Sequence, residues 1–265
     1  MKTRLLELAE EPGVWTPAGP EVEIVDVEGY RVVVRGRSGT VERIRLGDDD
    51  DVARALRETR QLARERGLER MVWWTGELST PDGLADRLSA LGLTPDPDAP
   101  ALASVAITCP PSARETEAEV RRVTDLDGFL RALEVDWEVW GIDAESRRRR
   151  RARAPEHWEA LAGDPRVEHY LALLDGEAAG FARAVFGAWA GVLMGGATIA
   201  RARGRGVYTA LVHARWDDAV ARDAPRLTTA AGPMATPILE GLGFERIGGV
   251  RLIRDGVVGS TARTP

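Results

Sequence analysis

A mixed α/β fold in two lobes is the architecture this sequence predicts, and three observations predict it. The chain has 265 residues, enough for one large or two ordinary domains with real cores. Two proline-rich breaks, Thr94-Pro-Asp-Pro-Asp-Ala-Pro100 and Cys109-Pro-Pro-Ser-Ala113, interrupt it near the middle, where neither a helix nor an inner strand can continue. On both sides of those breaks, segments of strand period alternate with segments of helix period. The expected division is a first lobe over 1–112 and a second over 113–265.

Composition narrows the class. Hydrophobic residues at 44 % and charged residues at 29 % describe an ordinary water-soluble globular chain. The single cysteine, Cys109, can form neither an internal disulfide nor a thiolate metal cluster, so a reducing cytoplasm is expected and a metal centre is not. Lys2 and Arg4 are followed by Glu7, Glu10 and Glu11 where a signal peptide needs an apolar core. The longest uncharged run, 184–200, falls short of the ~20 residues of a membrane span and carries four glycines spaced like a hairpin turn. Residues 1–112 hold 14 basic and 20 acidic side chains and the remainder 22 of each, so the basic footprint of a nucleic-acid binder is missing.

In the first lobe, 21–25, 30–34 and 41–46 alternate like strands, 51–66 is helical, 70–75 is a strand and 82–91 a short helix. In the second, 125–135 and 144–161 have helical period, and 167–174 reads as a strand. Asp175-Gly176 is a hairpin signal into 178–186. A strand at 191–199 follows, then an amphipathic helix at 206–222, a strand at 226–230, a helix at 234–242 and a closing strand at 244–253. The order is ααβββαβαβ.

Its most informative junction is Ala197-Thr-Ile-Ala-Arg-Ala-Arg-Gly-Arg-Gly-Val-Tyr208. A helix N-terminus leaves backbone N–H groups unpaired and carries about half a positive charge, and Gly204 and Gly206 let a phosphate approach them. This junction resembles the phosphate loop of the GNAT acetyltransferases, Q/R-x-x-G-x-G/A before a helix, with Arg203-Gly-Arg-Gly206-Val-Tyr208 in register and Tyr208 replacing a small residue. Ile238-Leu-Glu-Gly-Leu-Gly-Phe244 is similar to that family's second signature, a short helix ending in Leu-Gly-Phe. The resemblance covers about 117–255.

The resemblance implies a GNAT acyl-CoA N-acyltransferase fold and acetyl-CoA as cosubstrate. Gly196, Ala197 and Thr198 would bond the pantetheine arm, and the N–H groups of Arg203, Gly204, Arg205, Gly206, Val207 and Tyr208 would hold the pyrophosphate. Where many members place a tyrosine to protonate the leaving thiolate this chain has Leu239, and Gly232 stands where an asparagine often does. Tyr208 is the nearest phenol, placed by helix register beside the phosphates. The family's acceptor cleft corresponds here to Leu133-Glu134-Val-Asp136-Trp137-Glu138-Val-Trp140-Gly141. Asp136 and Glu138 are the candidates for binding or deprotonating an amine, or else acids facing water. His169, alone on a strand, is a relay or a structural side chain. The run Arg147 to Arg151 plus Arg153 encircles its helix, so it reads as a solvated face or an anion or RNA contact.

The first lobe echoes the second: Leu88-Ser-Ala-Leu91-Gly92-Leu93 parallels Leu239-Glu-Gly-Leu242-Gly243-Phe244. At the place of its phosphate loop, however, stands Gly47-Asp-Asp-Asp-Asp51, whose carboxylates cap the helix and would repel a pyrophosphate. A tandem arrangement with a degenerate first lobe that leaves CoA unbound is therefore expected. The function expected is acetyl transfer from acetyl-CoA to a small amine by direct attack in a ternary complex, since no cysteine lies in the cleft to carry the acyl group. The alternative is a non-catalytic acyl-CoA binding or sensing protein. The oligomeric state is not legible.

Overall fold

The computed structural model describes residues 1–11, 13, 22–256 and 258. The first half runs α1 (Lys2–Glu10), β1 (Val22–Val27), β2 (Tyr30–Arg35), β3 (Ser38–Glu42), α2 (Asp49–Glu65), β4 (Arg70–Gly76), α3 (Leu84–Ala90), β5 (Thr94–Pro95) and β6 (Ala101–Ile107). The second half runs β7 (Glu119–Arg122), α4 (Leu126–Val139), α5 (Ala144–Ala162), β8 (Val167–Leu174), β9 (Glu177–Phe186), β10 (Gly191–Thr198), α6 (Val207–Ala221), β11 (Leu227–Ala231), α7 (Thr236–Gly241) and β12 (Glu245–Arg254).

All the strands join one mixed sheet in the order β1-β2-β3-β4-β12-β6-β11-β10-β9-β8-β7, with β5 on the side of β12. The order is nearly palindromic about the antiparallel β12–β6 pair. On one side β3 runs parallel to β4, and on the other β10 runs parallel to β11. Each half lends its closing strand to the other. β12 lies against β4 of the first half, Val250 opposite Gly76 through Arg254 opposite Val72, and β6 lies against β11 of the second, Leu227 opposite Ile107. A partly buried ion pair reinforces the exchange: Arg60 of α2 reaches the buried Asp255, just past β12, at 2.6 and 3.0 Å.

Residue alternation along the strands explains the two main cores. In β2, Tyr30, Val32 and Val34 point into a core with Val41, Trp73 and Ile253, closed by Val52, Ala55 and Leu56 of α2 and by Leu84 and Leu88 of α3. In the second half, Phe129 and Ala132 of α4 pack on one face of β8–β10 while Val207 and Leu211 of α6 pack on the other, the latter against Gly180. The helix α1 lies over the middle of the sheet, Leu5 and Leu8 against Ala106 and Val192. Its Leu5 carbonyl accepts the Thr228 hydroxyl, and its Glu10 carboxylate accepts the N–H groups of Glu77 and Leu78.

Most elements fall where the residues predict them. The third strand starts earlier than the predicted 41–46: the Gly36 turn (φ +57°) returns the chain at Ser38, and Arg43 (φ +54°) ends the pairing. Glu21, the first residue of the predicted opening strand, lies outside the described residues. The hairpin at Asp175-Gly176 forms with both residues at positive φ, +54° and +83°. Among the described residues no helix is long and apolar enough to cross a membrane, and no group of three or more His, Cys, Asp or Glu side chains is placed to hold a metal ion.

Glu42, at the end of β3, is 1 % exposed; its Oε2 accepts the Gly13 N–H at 3.2 Å. Burial pushes its pKa up to about 7, against the opposing pull of that hydrogen bond and of Arg35 and Arg31. A folded-state pKa above the unfolded value means that the fold holds an extra proton between the two, so stability falls as pH rises through about 7. Glu42→Gln removes this loss. Chemical denaturation should show the variant gaining about 2 kcal/mol on the parent between pH 5 and pH 8, and a constant difference would show that Glu42 titrates normally.

Candidate functional site

The site grows from a separation of two strands. β10 and β11 pair only at Gly191–Leu227 and Val192–Thr228, after which β10 bulges between Met194 and Gly196 around Gly195 (φ +66°) and leaves its neighbour. Of the carbonyls on the opened edge, that of Leu193 accepts the Thr229 hydroxyl at 2.8 Å. Gly195 and Gly196 are exposed, while Ala197 is buried and Thr198 intermediate. A strand edge without a partner offers alternating N–H and C=O groups to an extended ligand.

Beyond Thr198 a 3-10 turn, Ala200–Ala202, leads into Arg203, Gly204 and Arg205, and Gly206 caps α6 without a side-chain hydrogen bond. Gly204 and Gly206 have φ of +79° and +76°, which L side chains adopt only with strain. The N–H groups of residues 204–209 meet no hydrogen-bond acceptor among the described residues. They form a patch of donors at a positive helix end. Val207 is buried in the core, and Tyr208 lies against Gly196, where an added Cβ would sit 2.9 Å from its ring. The loop and the open strand edge are thus continuous.

The arginines of the loop have separate fates. Arg205 is held by Glu117 and Asp175, and Arg201 donates to Glu138 at 3.0 Å. Arg203 is exposed and carries no ion pair among the described residues; its Nε reaches the Thr198 carbonyl at 3.4 Å. The linker also touches the loop, with Thr116 Oγ1 donating to the Gly206 carbonyl at 3.2 Å. Thr116, Glu117 and Asp175 were not distinguishable by sequence reasoning, because their role is fixed by where a linker and a hairpin turn meet the loop.

At the matching place in the first half the helix end is acidic and capped from within. Asp48 caps α2 by accepting the Asp51 N–H at 3.0 Å, and Asp51 Oδ2 accepts the Gly47 N–H at 3.1 Å. Asp49, Asp50 and Asp51 occupy its first turn.

Asp136 and Glu138 both belong to the last turn of α4 but point apart, as residues two apart on a helix must. Asp136 is half-buried, its Oδ1 accepts the Trp140 Nε1–H at 3.1 Å, and burial raises its pKa against the pull of Arg150 and Arg183. Glu138 is exposed and faces the loop through Arg201. His169 is 5 % exposed, edge-on to Phe129 and stacked on Phe181, and burial pushes its pKa down to about 3. It is a neutral packing group at ordinary pH. The arginine run on α5 is mostly exposed, with Arg149 paired to Glu145 and Arg151 to Glu134.

No family model and no curated protein matches this chain. Solved structures do. A tandem GNAT protein from the clavulanic acid biosynthesis pathway superposes at a TM-score of 0.65, 16 % identical over 96 % of this chain and 94 % of its own. A GCN5-related N-acetyltransferase from Kribbella flavida gives 0.67 at 14 % identity, covering 89 % and 90 %. Another from Sphaerobacter thermophilus gives 0.62 at 18 %, covering 87 % and 82 %. The fold is the tandem GNAT fold.

Leu239, where a thiol-protonating tyrosine is often found, is 0 % exposed in the core of the second half, beside Leu242 and Phe244. A tyrosine there would have to displace its neighbours. Leu239→Tyr should therefore cost about 1–3 kcal/mol in urea unfolding, as overpacking does. A variant as stable as the parent would show that the helix can turn this position outward.

Proposed function

We propose that this protein is an acetyl-CoA-dependent N-acetyltransferase whose second half carries the cosubstrate and acylates a small amine. The observation that carries this reading is the pairing of an open strand edge at Gly196, Ala197 and Thr198 with the uncapped helix end at residues 204–208; the Arg203 N–H, expected to join them, donates instead to the Ala200 carbonyl at 3.3 Å. An extended pantetheine arm suits the first, and a pyrophosphate suits the second. Arg203, exposed and unpaired among the described residues, is placed to meet phosphate oxygens. The first half, its helix end capped by Asp48 and lined by Asp49, Asp50 and Asp51, takes no part in CoA binding.

Direct attack needs a neutral amine in contact with the thioester carbon. The nitrogen lone pair forms the C–N bond, the C–S bond breaks, and CoA leaves as the thiolate. Asp136, a carboxylate of raised pKa on the cleft side of α4, is our candidate to bind the amine and take its proton. Glu138, tied to Arg201 at the edge of the loop, steadies the approach from α4. With Leu239 in the core, the thiolate takes its proton from solvent or from the amine. CoA tolerates this, because thiol pKa values lie around 8.5.

Calorimetry with acetyl-CoA tests the reading together with thiol release over a panel of amines. One equivalent should bind per chain. Gly206→Val should abolish binding, since its φ of +76° and a Cβ 3.0 Å from Thr116 exclude a branched side chain, whereas Asp49→Ala should leave binding unchanged. Two equivalents would overturn the assignment to one half. Binding with no turnover on any amine would instead favour a non-catalytic acyl-CoA sensor.

A further inference from the structure

One aromatic ring rests on the opened edge of β10. Val207, the first residue of α6, packs on Gly180, which pairs with Thr198 at the end of that strand. Tyr208 reaches two residues further back: a Cβ at Gly196 would lie 2.9 Å from its Cε2 and 3.9 Å from its Cζ, the carbon that bears the hydroxyl. The ring is thereby carried away from Gly204 and Gly206, beside which helix register alone would leave it, and towards the bulge at Gly195. Gly196 is not at positive φ, so what requires a glycine there is room for the ring.

Behind the ring stands Arg215, two turns further along α6. Its Cζ lies over the Tyr208 ring, 5.9 Å from the centroid. Arg215 is 0 % exposed; its Nε donates to the Leu211 carbonyl at 2.8 Å, while its two terminal nitrogens, sealed from solvent, have no hydrogen-bond partner. Asp218, the acid one turn on, is already taken, one oxygen by Arg122 and the other by the Tyr170 hydroxyl. Burial lowers the pKa of Arg215, and Tyr208 and Tyr170 are the groups that oppose it.

A buried guanidinium without an anion is costly, and an apolar side chain of similar size commonly serves stability better. The attraction left to Arg215 is that of a cation to a ring face, which is strongest where both are out of water. It acts on one object, the ring of Tyr208, and holds it where the strand edge opens. The loop pattern that this chain resembles has a small residue at this place, which would leave Gly196 bare.

We propose that Tyr208 is a wall of the cosubstrate groove, against which the extended arm of acyl-CoA lies, and that Arg215 is the positioning residue that keeps its ring on Gly196. The proposal rests on the acyl-CoA reading of the second half and changes what Tyr208 meets there: the arm and not the phosphates. A tyrosine ring suits this place, since it offers a large apolar face with few torsions to fix.

Two ligands of different reach test it by calorimetry: acetyl-CoA, and adenosine 3′-phosphate 5′-diphosphate, which carries the same nucleotide and phosphates without the arm. Tyr208→Ala should weaken acetyl-CoA about tenfold and leave the armless nucleotide unchanged, whereas Tyr208→Phe should bind both as the parent does. Arg215→Met exchanges the unpaired charge for an apolar side chain that the fold accepts, and it should weaken acetyl-CoA alone, by about three- to tenfold. Arg215→Lys keeps a cation behind the ring and should recover most of that loss. A role confined to packing would give neither the split between ligands nor the rescue. Equal losses for the two ligands would put the ring at the phosphates, and unchanged or tighter acetyl-CoA binding in Tyr208→Ala would make it a bystander or an obstruction; either result overturns the wall. Arg215→Met binding both ligands like the parent overturns the part given to Arg215. If neither ligand binds the parent, the acyl-CoA reading fails and the wall with it, an outcome distinct from binding without the split.

Discussion

The exchange of β6 and β12 is the constraint on which the rest of this structure depends. Each strand is central to the half it does not belong to in sequence, and the two pair with each other at the middle of the sheet. Neither half can complete its sheet without the other. The exchange also fixes the rotation between the halves. It thereby seats α1 over the junction, Leu5 and Leu8 against Ala106 and Val192. The Arg60–Asp255 pair and the buried Glu10 carboxylate tie that arrangement down at its polar points.

Within that frame the two halves treat the same local geometry in opposite ways. Both contain a parallel strand pair joined by a helix that opens after the first strand of the pair. In the second half glycines at positive φ hold the loop clear and the helix donors face outward. In the first, Asp48 accepts one helix donor, the Asp51 N–H, Asp51 accepts the Gly47 N–H ahead of the cap, and three aspartates line the first turn. Carboxylates at a helix N-terminus take up its positive end and repel an anionic ligand from the donors that are left. Two glycines against four aspartates thus set a helix end with outward-facing donors in one half against an acidic helix end in the other.

What could be read from the residues follows the range of the interactions involved. The glycine loop before α6, the aspartate cap of α2 and the Asp175-Gly176 hairpin are local, and each is written in adjacent residues. The exchange of closing strands was hidden because Ala101–Ile107 and Glu245–Arg254 pair across more than half of the chain, and nothing in either run of residues names its partner. The helix α1 escaped notice too, since its acids look solvent-facing until Glu10 is seen accepting the Glu77 and Leu78 N–H groups. Asp136 and Glu138 were legible as a pair of acids near the cleft; their divergence required the helix to be seen against Arg201 and Trp140. Arg183 left a trace, a lone charge in an apolar strand.

The central claim is that acyl-CoA is held by the second half alone, along β10 and the loop before α6. Hydrogen–deuterium exchange with and without acetyl-CoA measures it directly, because it reports the two helix ends in one experiment. The account predicts slowed exchange across residues 196–209 on binding and unchanged exchange across 47–52. Protection at 47–52, or none at 196–209, would contradict it.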